Sequence, residues 1–224
     1  NAFNVISDGV NASMGTITAD FTRYMTWKSK DGEPPSKDFN PISILMEGVF
    51  KKERLLDIIR SFIVYQEIKG STVKIVAGYH QYFAVKKAVE RTKHALQKND
   101  KKVGVVWHTQ GSGKSLSMVF YTGIIVSDPE FSNPTIVLLT DRNDLDNQLY
   151  NTFTACSKLL LRQEPKQAQD RNNLKELLSV KAGGIVFTTI QKFEESPEVL
   201  TERKNVIFIA DEAHRSQYGL DAKL

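Results

Sequence analysis

The segment His108-Thr109-Gln110-Gly111-Ser112-Gly113-Lys114-Ser115 has the residue types from which chemistry follows most directly. Gly111 and Gly113 let the backbone turn so that successive N–H groups face one concavity. A helix beginning at Lys114 adds the positive end of its dipole, which favours an anion. Lys114 is a point charge able to reach the β- and γ-phosphates of a nucleotide, and Ser115 offers a hydroxyl to Mg²⁺. His108, Thr109, Gln110, Gly111, Ser112, Gly113, Lys114 and Ser115 are therefore expected to bind nucleotide. His108 stands where the phosphate-loop pattern usually begins with glycine. The bland alternative is a glycine-rich turn with a chance lysine. The apolar run before the segment and the helix-compatible stretch after it argue for the phosphate loop.

A second segment, Val206-Ile207-Phe208-Ile209-Ala210-Asp211-Glu212-Ala213-His214, ends an apolar strand on two acids. Acids at the carboxyl end of a strand lie where open α/β sheets bind ligands. Asp211 is expected to hold Mg²⁺ through its water shell, and Glu212 to orient and deprotonate an attacking water. In isolation the pair could equally be a helix cap with an acidic first turn. Paired with the upstream loop, it completes an ATP and Mg²⁺ site: Lys114 and Glu212 catalytic, Ser115 and Asp211 on the metal side.

Such residues need a scaffold. From Val103 onward, short apolar runs alternate with helix-compatible stretches. Strands are expected at Val103–Trp107, Thr135–Thr140, Gly184–Thr189 and Val206–Ala210. Helices are expected at Lys114–Val126, Asn143–Phe153 and Asp170–Ser179. Continuous apolar strands separated by helices imply a mostly parallel sheet covered on both faces. Upstream, Val5–Gly9 and Gly15–Thr18 suggest short strands, and Lys28–Pro41 is a polar, proline-bearing loop. One helix is expected over Ser43–Ile63 from Leu45, Val49, Leu55, Leu56, Ile59 and Phe62. A hairpin follows around Lys69-Gly70-Ser71, and a helix over Tyr79–Gln97.

The chain has 224 residues, 41% hydrophobic and 25% charged, a globular composition rather than a disordered one. Its net charge of +4 permits a nucleic-acid partner without arguing for one. A single cysteine, Cys156, excludes an internal disulfide and a cysteine-built zinc site. No apolar run approaches the roughly 18 residues of a membrane span. The first residues carry no secretory pattern. A start without Met, and an end soon after a strong motif, suggest a piece of a longer protein.

Asp211-Glu212-Ala213-His214 resembles the DEAD/DEAH box of superfamily 2 helicases and translocases. The longer run through Arg215-Ser216-Gln217-Tyr218-Gly219 resembles the restriction (R) subunit of type I restriction–modification enzymes. Three further segments are similar to that subunit: Gly78–Val85, like its adenine-recognition helix; Leu139–Leu149, like its first DNA-contacting motif; and Val186–Phe193, like the next. The resemblance extends to Phe3–Trp27 and Arg54–Val64, which look like the stretch joining nuclease and motor.

The resemblance implies a RecA-like P-loop lobe preceded by a small α+β linker segment. It divides the chain into residues 1–42, the tail of the nuclease domain and linker; 43–77, a connecting helix and hairpin; and 78–224, an incomplete first motor lobe. It assigns Gln81 to the adenine edge. Thr140, Arg142, Thr188 and Gln191 go to the DNA backbone, and His214 to coupling between nucleotide and DNA. It implies a cytoplasmic ATP-dependent site-specific deoxyribonuclease subunit. That subunit translocates double-stranded DNA and works with modification (M) and specificity (S) subunits, with no membrane. Glu67-Ile68-Lys69 has the form of a nuclease motif but falls at a hairpin tip, and no nuclease residues are assigned. The second motor lobe and its arginine lie outside the chain, so alone it is expected to be nearly inactive. A repair or remodelling translocase of the same superfamily, or a non-motor nucleotide switch, remain as alternatives.

Overall fold

The computed structural model describes residues 1–34, 40–68, 70–98, 100–109, 111–140, 143–194 and 199–211. They fall into two compact units, Asn1–Tyr121 and Thr122–Leu224.

The first unit opens with an antiparallel hairpin of β1 (Asn4–Ser7) and β2 (Ala12–Gly15). Its turn is fixed by Asp8, whose Oδ1 accepts from the N–H groups of Val10 and Asn11. The second strand lies earlier than the expected Gly15–Thr18. The single helix expected over Ser43–Ile63 is two helices, α1 (Pro41–Val49) and α2 (Lys52–Ser61). Asn40 caps α1 by accepting from Ser43 N–H, and Pro41 occupies its first turn. The break falls at Phe50-Lys51, where Lys51 takes ψ 124°. It is sealed by Arg54, whose guanidinium donates to the Gly48 carbonyl at the end of α1 at 2.6 Å.

The expected hairpin pairs β3 (Ile63–Ile68) with β4 (Ser71–Val76). It delivers the chain to α3 (Tyr79–Lys98). An aromatic cluster holds α3: Trp27 meets the rings of Tyr79, Tyr82 and Phe83, and Phe62 meets Tyr82 and Phe120. Phe120 lies on α4 (Lys114–Ser127). The Thr92 and Tyr121 hydroxyls share a 2.7 Å hydrogen bond, so the first turns of α4 are fixed against α3.

Val103–Trp107, expected as a strand, is not one. Gly104 sits at φ +151°, and the side chains of Val105 and Trp107 are each 86% exposed. Apolar residues at a strand's spacing form a strand only when a ladder partner takes up their N–H and C=O groups, and among the described residues this run has none.

The second unit is the expected parallel sheet. Its strands are β5 (Thr135–Thr140), β6 (Pro165–Gln167), β7 (Ile185–Thr189) and β8 (Val206–Ala210), in the order β6-β7-β5-β8 with every pairing parallel. Its helices are α5 (Asn143–Ala155), α6 (Arg171–Leu178, capped by Asp170) and the short α7 (Gln191–Glu194). A single π-helical turn, Ser157–Leu161, follows α5.

Neighbouring residues of one strand point to opposite faces. Val186 packs with Val137, Leu174 and Leu178, whereas Phe187 meets Tyr150 and Phe153 edge-on at 5.3 and 5.1 Å. Thus α6 covers one face and α5 the other, the two-sided cover that the apolar strands β5 and β7 require.

Candidate nucleotide-binding site

The glycine-rich loop stands at the head of α4, as expected. Gly111 and Gly113 take φ +78° and +80°, conformations that glycine adopts without strain. Ser112 N–H and its Oγ both donate to the Thr109 carbonyl, at 3.2 and 2.7 Å, closing the loop on itself. Gly113 is the N-cap of α4: its carbonyl accepts the first helical bond, from Ser117 N–H at 3.1 Å. Lys114 and Ser115 then occupy the first turn. This is a donor set that fits a triphosphate: a tight loop, a helix N-terminus and a lysine.

The loop is held from α3 by two consecutive side chains. His80 Nε2 lies 2.9 Å from the Ser112 carbonyl oxygen. A carbonyl only accepts, so His80 carries its proton on Nε2. Gln81, 4% exposed, uses both ends of its amide. Oε1 accepts from Gly78 N–H at 2.9 Å, and Nε2 donates to the Gly113 carbonyl at 3.0 Å. The first of these is the reaching-back half of a capping box, with Gly78 at the N-cap and Gln81 three residues on. The second fixes the loop. One amide hydrogen and one lone pair of Gln81 remain beyond these bonds.

His108 packs edge-on to His80, with ring centroids 5.5 Å apart and planes at 68°. Its Nδ1 is buried with no hydrogen-bond partner among the described residues. Burial, followed by the neighbouring His80 and Lys114 charges, holds its pKa below the ordinary histidine value.

In the second unit the remaining residues gather at the carboxyl edge of the sheet. Register pairs Thr140 with Thr189 and Leu139 with both Thr188 and Ala210, and Asp211 follows β8, its N–H bonded to the Leu139 carbonyl at 2.9 Å. Thr140 and Thr188 are buried, and Thr140 Oγ1 has no hydrogen-bond partner among the described residues. Gln191 opens α7 and is exposed. Gln110, Arg142, Glu212 and His214 lie outside the described residues.

A phosphate-type loop at a helix start and an acid-ended strand are shared by many ATPases, and comparison with known proteins narrows the choice. The SWI2/SNF2 ATPase family model matches residues 80–224. The chain belongs to the SWI2/SNF2 ATPase family. It is 47% identical to the type I restriction enzyme HindI endonuclease subunit of Haemophilus influenzae, over 98% of this chain and 22% of that protein. A candidate type I restriction enzyme endonuclease subunit of Methanocaldococcus jannaschii, MjaIXP, is 36% identical over 96% of the chain and 22% of its own length. The C-terminal part of a candidate subunit from Mycoplasma pneumoniae, MpnIIP, is 30% identical over 75% of the chain and 84% of its own length.

The resemblance to type I restriction endonuclease subunits thus holds across nearly all of this ATPase-family chain. The chain spans 22% of the length of the first two relatives. Among the described residues no helix is long and apolar enough to cross a membrane.

The sequence reading picks out the loop and assigns Gln81 to adenine, and it does not single out His80, which the structure places against the Ser112 carbonyl. The signal available was a second histidine, His108, in the position where the loop pattern has glycine.

Proposed function

We propose that this chain is the first ATP-binding lobe of the motor in a type I restriction endonuclease subunit. On this reading residues 1–42 are the tail of a nuclease domain and linker, 43–77 a connector, and 78–224 the lobe itself. The observation that carries it is the phosphate loop at the head of α4, tied by His80 and Gln81 to α3, in a chain so similar to restriction subunits. The loop's N–H groups and Lys114 bind the triphosphate, and Ser115 and Asp211 are the metal-side ligands. Glu212 takes the proton of the attacking water. Gln81 reads adenine with the hydrogen and lone pair left after its bonds to Gly113 and Gly78. Mg²⁺ held on the side of Ser115 and Asp211 would supply positive charge to offset that developing on the transferred phosphoryl group.

Thr140, Arg142, Thr188, Gln191 and His214 are assigned to DNA contact and its coupling to nucleotide. Thr140 and Thr188 are buried, so their part is to set the shape of the sheet edge beneath more exposed contacts such as Gln191. The complete protein would couple ATP hydrolysis to translocation of double-stranded DNA before cleavage, in the cytoplasm, with modification and specificity subunits.

Calorimetry with MgATP tests the site: Lys114→Ala should bind at least about a hundredfold more weakly, because it removes a charge aimed at the phosphates from a partly desolvated site. Equal affinity in the variant and the parent would overturn the assignment of Lys114. In the full-length protein, Glu212→Gln should keep ATP binding and lose DNA-stimulated hydrolysis. Robust turnover by the isolated chain would contradict the need for a second lobe.

A further inference from the structure

We propose that His80 is a positioning residue for the phosphate loop: its Nε2–H, held on the Ser112 carbonyl at 2.9 Å, turns the Ser112–Gly113 peptide so that its N–H faces the nucleotide's phosphates. This rests on the nucleotide reading given above. The argument begins with the peptide unit. In a trans peptide the C=O and the following N–H point in opposite directions. Fixing the Ser112 oxygen toward α3 therefore fixes Gly113 N–H away from it. The next peptide is treated alike, because Gln81 Nε2 holds the Gly113 oxygen at 3.0 Å. Two consecutive side chains of one helical turn thus hold back two consecutive carbonyls of the loop.

The clamp matters because of what the loop would otherwise do. Gly113 tolerates positive and negative φ almost equally, so the Ser112–Gly113 peptide can flip at little steric cost. A flipped peptide would turn a carbonyl oxygen, with its partial negative charge, toward the phosphate oxygens. An anion-binding loop built on glycine thus needs an outside group to choose the orientation of its dipoles, and an N–H donor does so.

The imidazole itself is held in place. Its ring packs edge-on with two others, Tyr79, 5.5 Å away with planes at 79°, and His108, 5.5 Å away at 68°. Both are edge-type contacts that restrict rotation of the ring about its Cβ–Cγ bond. A glycine in place of His108 would remove one of the two ring contacts of His80. This gives a physical reason for the departure from glycine at the first position of the loop.

The test compares His80→Phe and His80→Gln with the parent in the full-length protein, by MgATP calorimetry from pH 6 to 8. Phenylalanine keeps a ring in contact with Tyr79 and His108 but removes the donor. Glutamine can place an amide N–H near the position of Nε2. His80→Phe should weaken ATP binding by about five- to tenfold and His80→Gln by less than about twofold, the worth of one net hydrogen bond. The Phe deficit should stay flat over this pH range, because the Nε2 proton is present in both the neutral tautomer and the cation.

The proposal is overturned if His80→Phe binds ATP like the parent, if His80→Gln is as weak as His80→Phe, or if the deficit grows as the pH falls. The last outcome would mean that His80 acts by charge. Lys114→Ala separates the two levels. If it leaves ATP affinity unchanged, the nucleotide reading itself fails. If it abolishes binding while His80→Phe does not weaken it, only the role of His80 falls.

Discussion

The phosphate loop and the sheet edge are held in different ways. At the sheet edge, Thr140, Thr188 and Asp211 owe their places to the parallel ladder of β5, β7 and β8, with apolar side chains packed on both faces. Many weak, redundant contacts fix them. The loop owes its shape to two left-handed glycines and two side chains of α3. A region held by a buried ladder resists single changes in geometry and responds to them in stability. A region held by two donors responds in affinity, with a smaller response in stability. Substitutions in the two regions should therefore separate these readouts.

The largest effect is expected in the sheet. Phe187 is fully buried beneath Tyr150 and Phe153. Phe187→Ala should destabilise the chain by about 3–5 kcal/mol, from lost transfer energy plus the cavity left behind. Denaturant unfolding checks the size. Below its unfolding temperature the variant should bind MgATP within about twofold of the parent, since the contacts it loses are local packing. A large loss of affinity in the folded variant would mean that packing beneath the sheet governs nucleotide binding as well as stability.

A smaller effect on stability, with a larger one on binding, is expected at the loop. A Cβ on Gly113 would come within 2.6 Å of Gln81 Nε2, and the residue sits at φ +80°. Gly113→Ala should cost about 1–2 kcal/mol in backbone strain and push Gln81 off the Gly113 carbonyl. ATP affinity should fall at least about tenfold, as the loop's dipoles lose their fixed orientation. Adding Gln81→Ala should relieve the collision but not the strain, so the double variant should recover stability in part and affinity not at all. Full recovery of affinity would show that the collision, and not the clamp, governs the loop.

The same contrast explains what could be read from the sequence. β5 and β8 match their expected limits and β7 starts one residue late, because continuous apolar runs leave a strong trace whether buried, as in β5 and β7, or at the sheet's edge, as in β8. The glycine loop and its helix were equally plain. β6 was not, being three residues long and beginning with Pro165, which suits an edge strand but leaves no periodic signal. The break at Phe50-Lys51 was hidden because its seal comes from Arg54, a tertiary contact that no local pattern carries. Val103–Trp107 shows the converse: its residues have a strand's composition, but pairing needs a partner, and that is not a property of the segment. Gln81 was found by resemblance and His80 was missed, although both act on adjacent carbonyls. Only the folded geometry shows that one turn of α3 points two donors at one loop.

The smallest effect is a dependence on pH, and its sign follows from His108. Burial and the nearby His80 and Lys114 hold its folded pKa below the ordinary value. The unfolded chain therefore takes up a proton on this ring at a higher pH than the folded chain does. Stability contributed by the neutral, packed ring is present above the ordinary histidine pKa and is lost as pH falls toward the folded one. Other groups also titrate in acid, so the comparison must be made against a variant that lacks only this ring. His108→Gln removes the titration and keeps a polar side chain of similar reach. Between pH 7.5 and 5.5 the thermal midpoint of the parent should fall by about one to two degrees more than that of His108→Gln, the scale of a fraction of one kcal/mol in a chain of this size. Parallel curves for the two proteins would mean that His108 is solvated enough to titrate normally, and that its contact with His80 is loose.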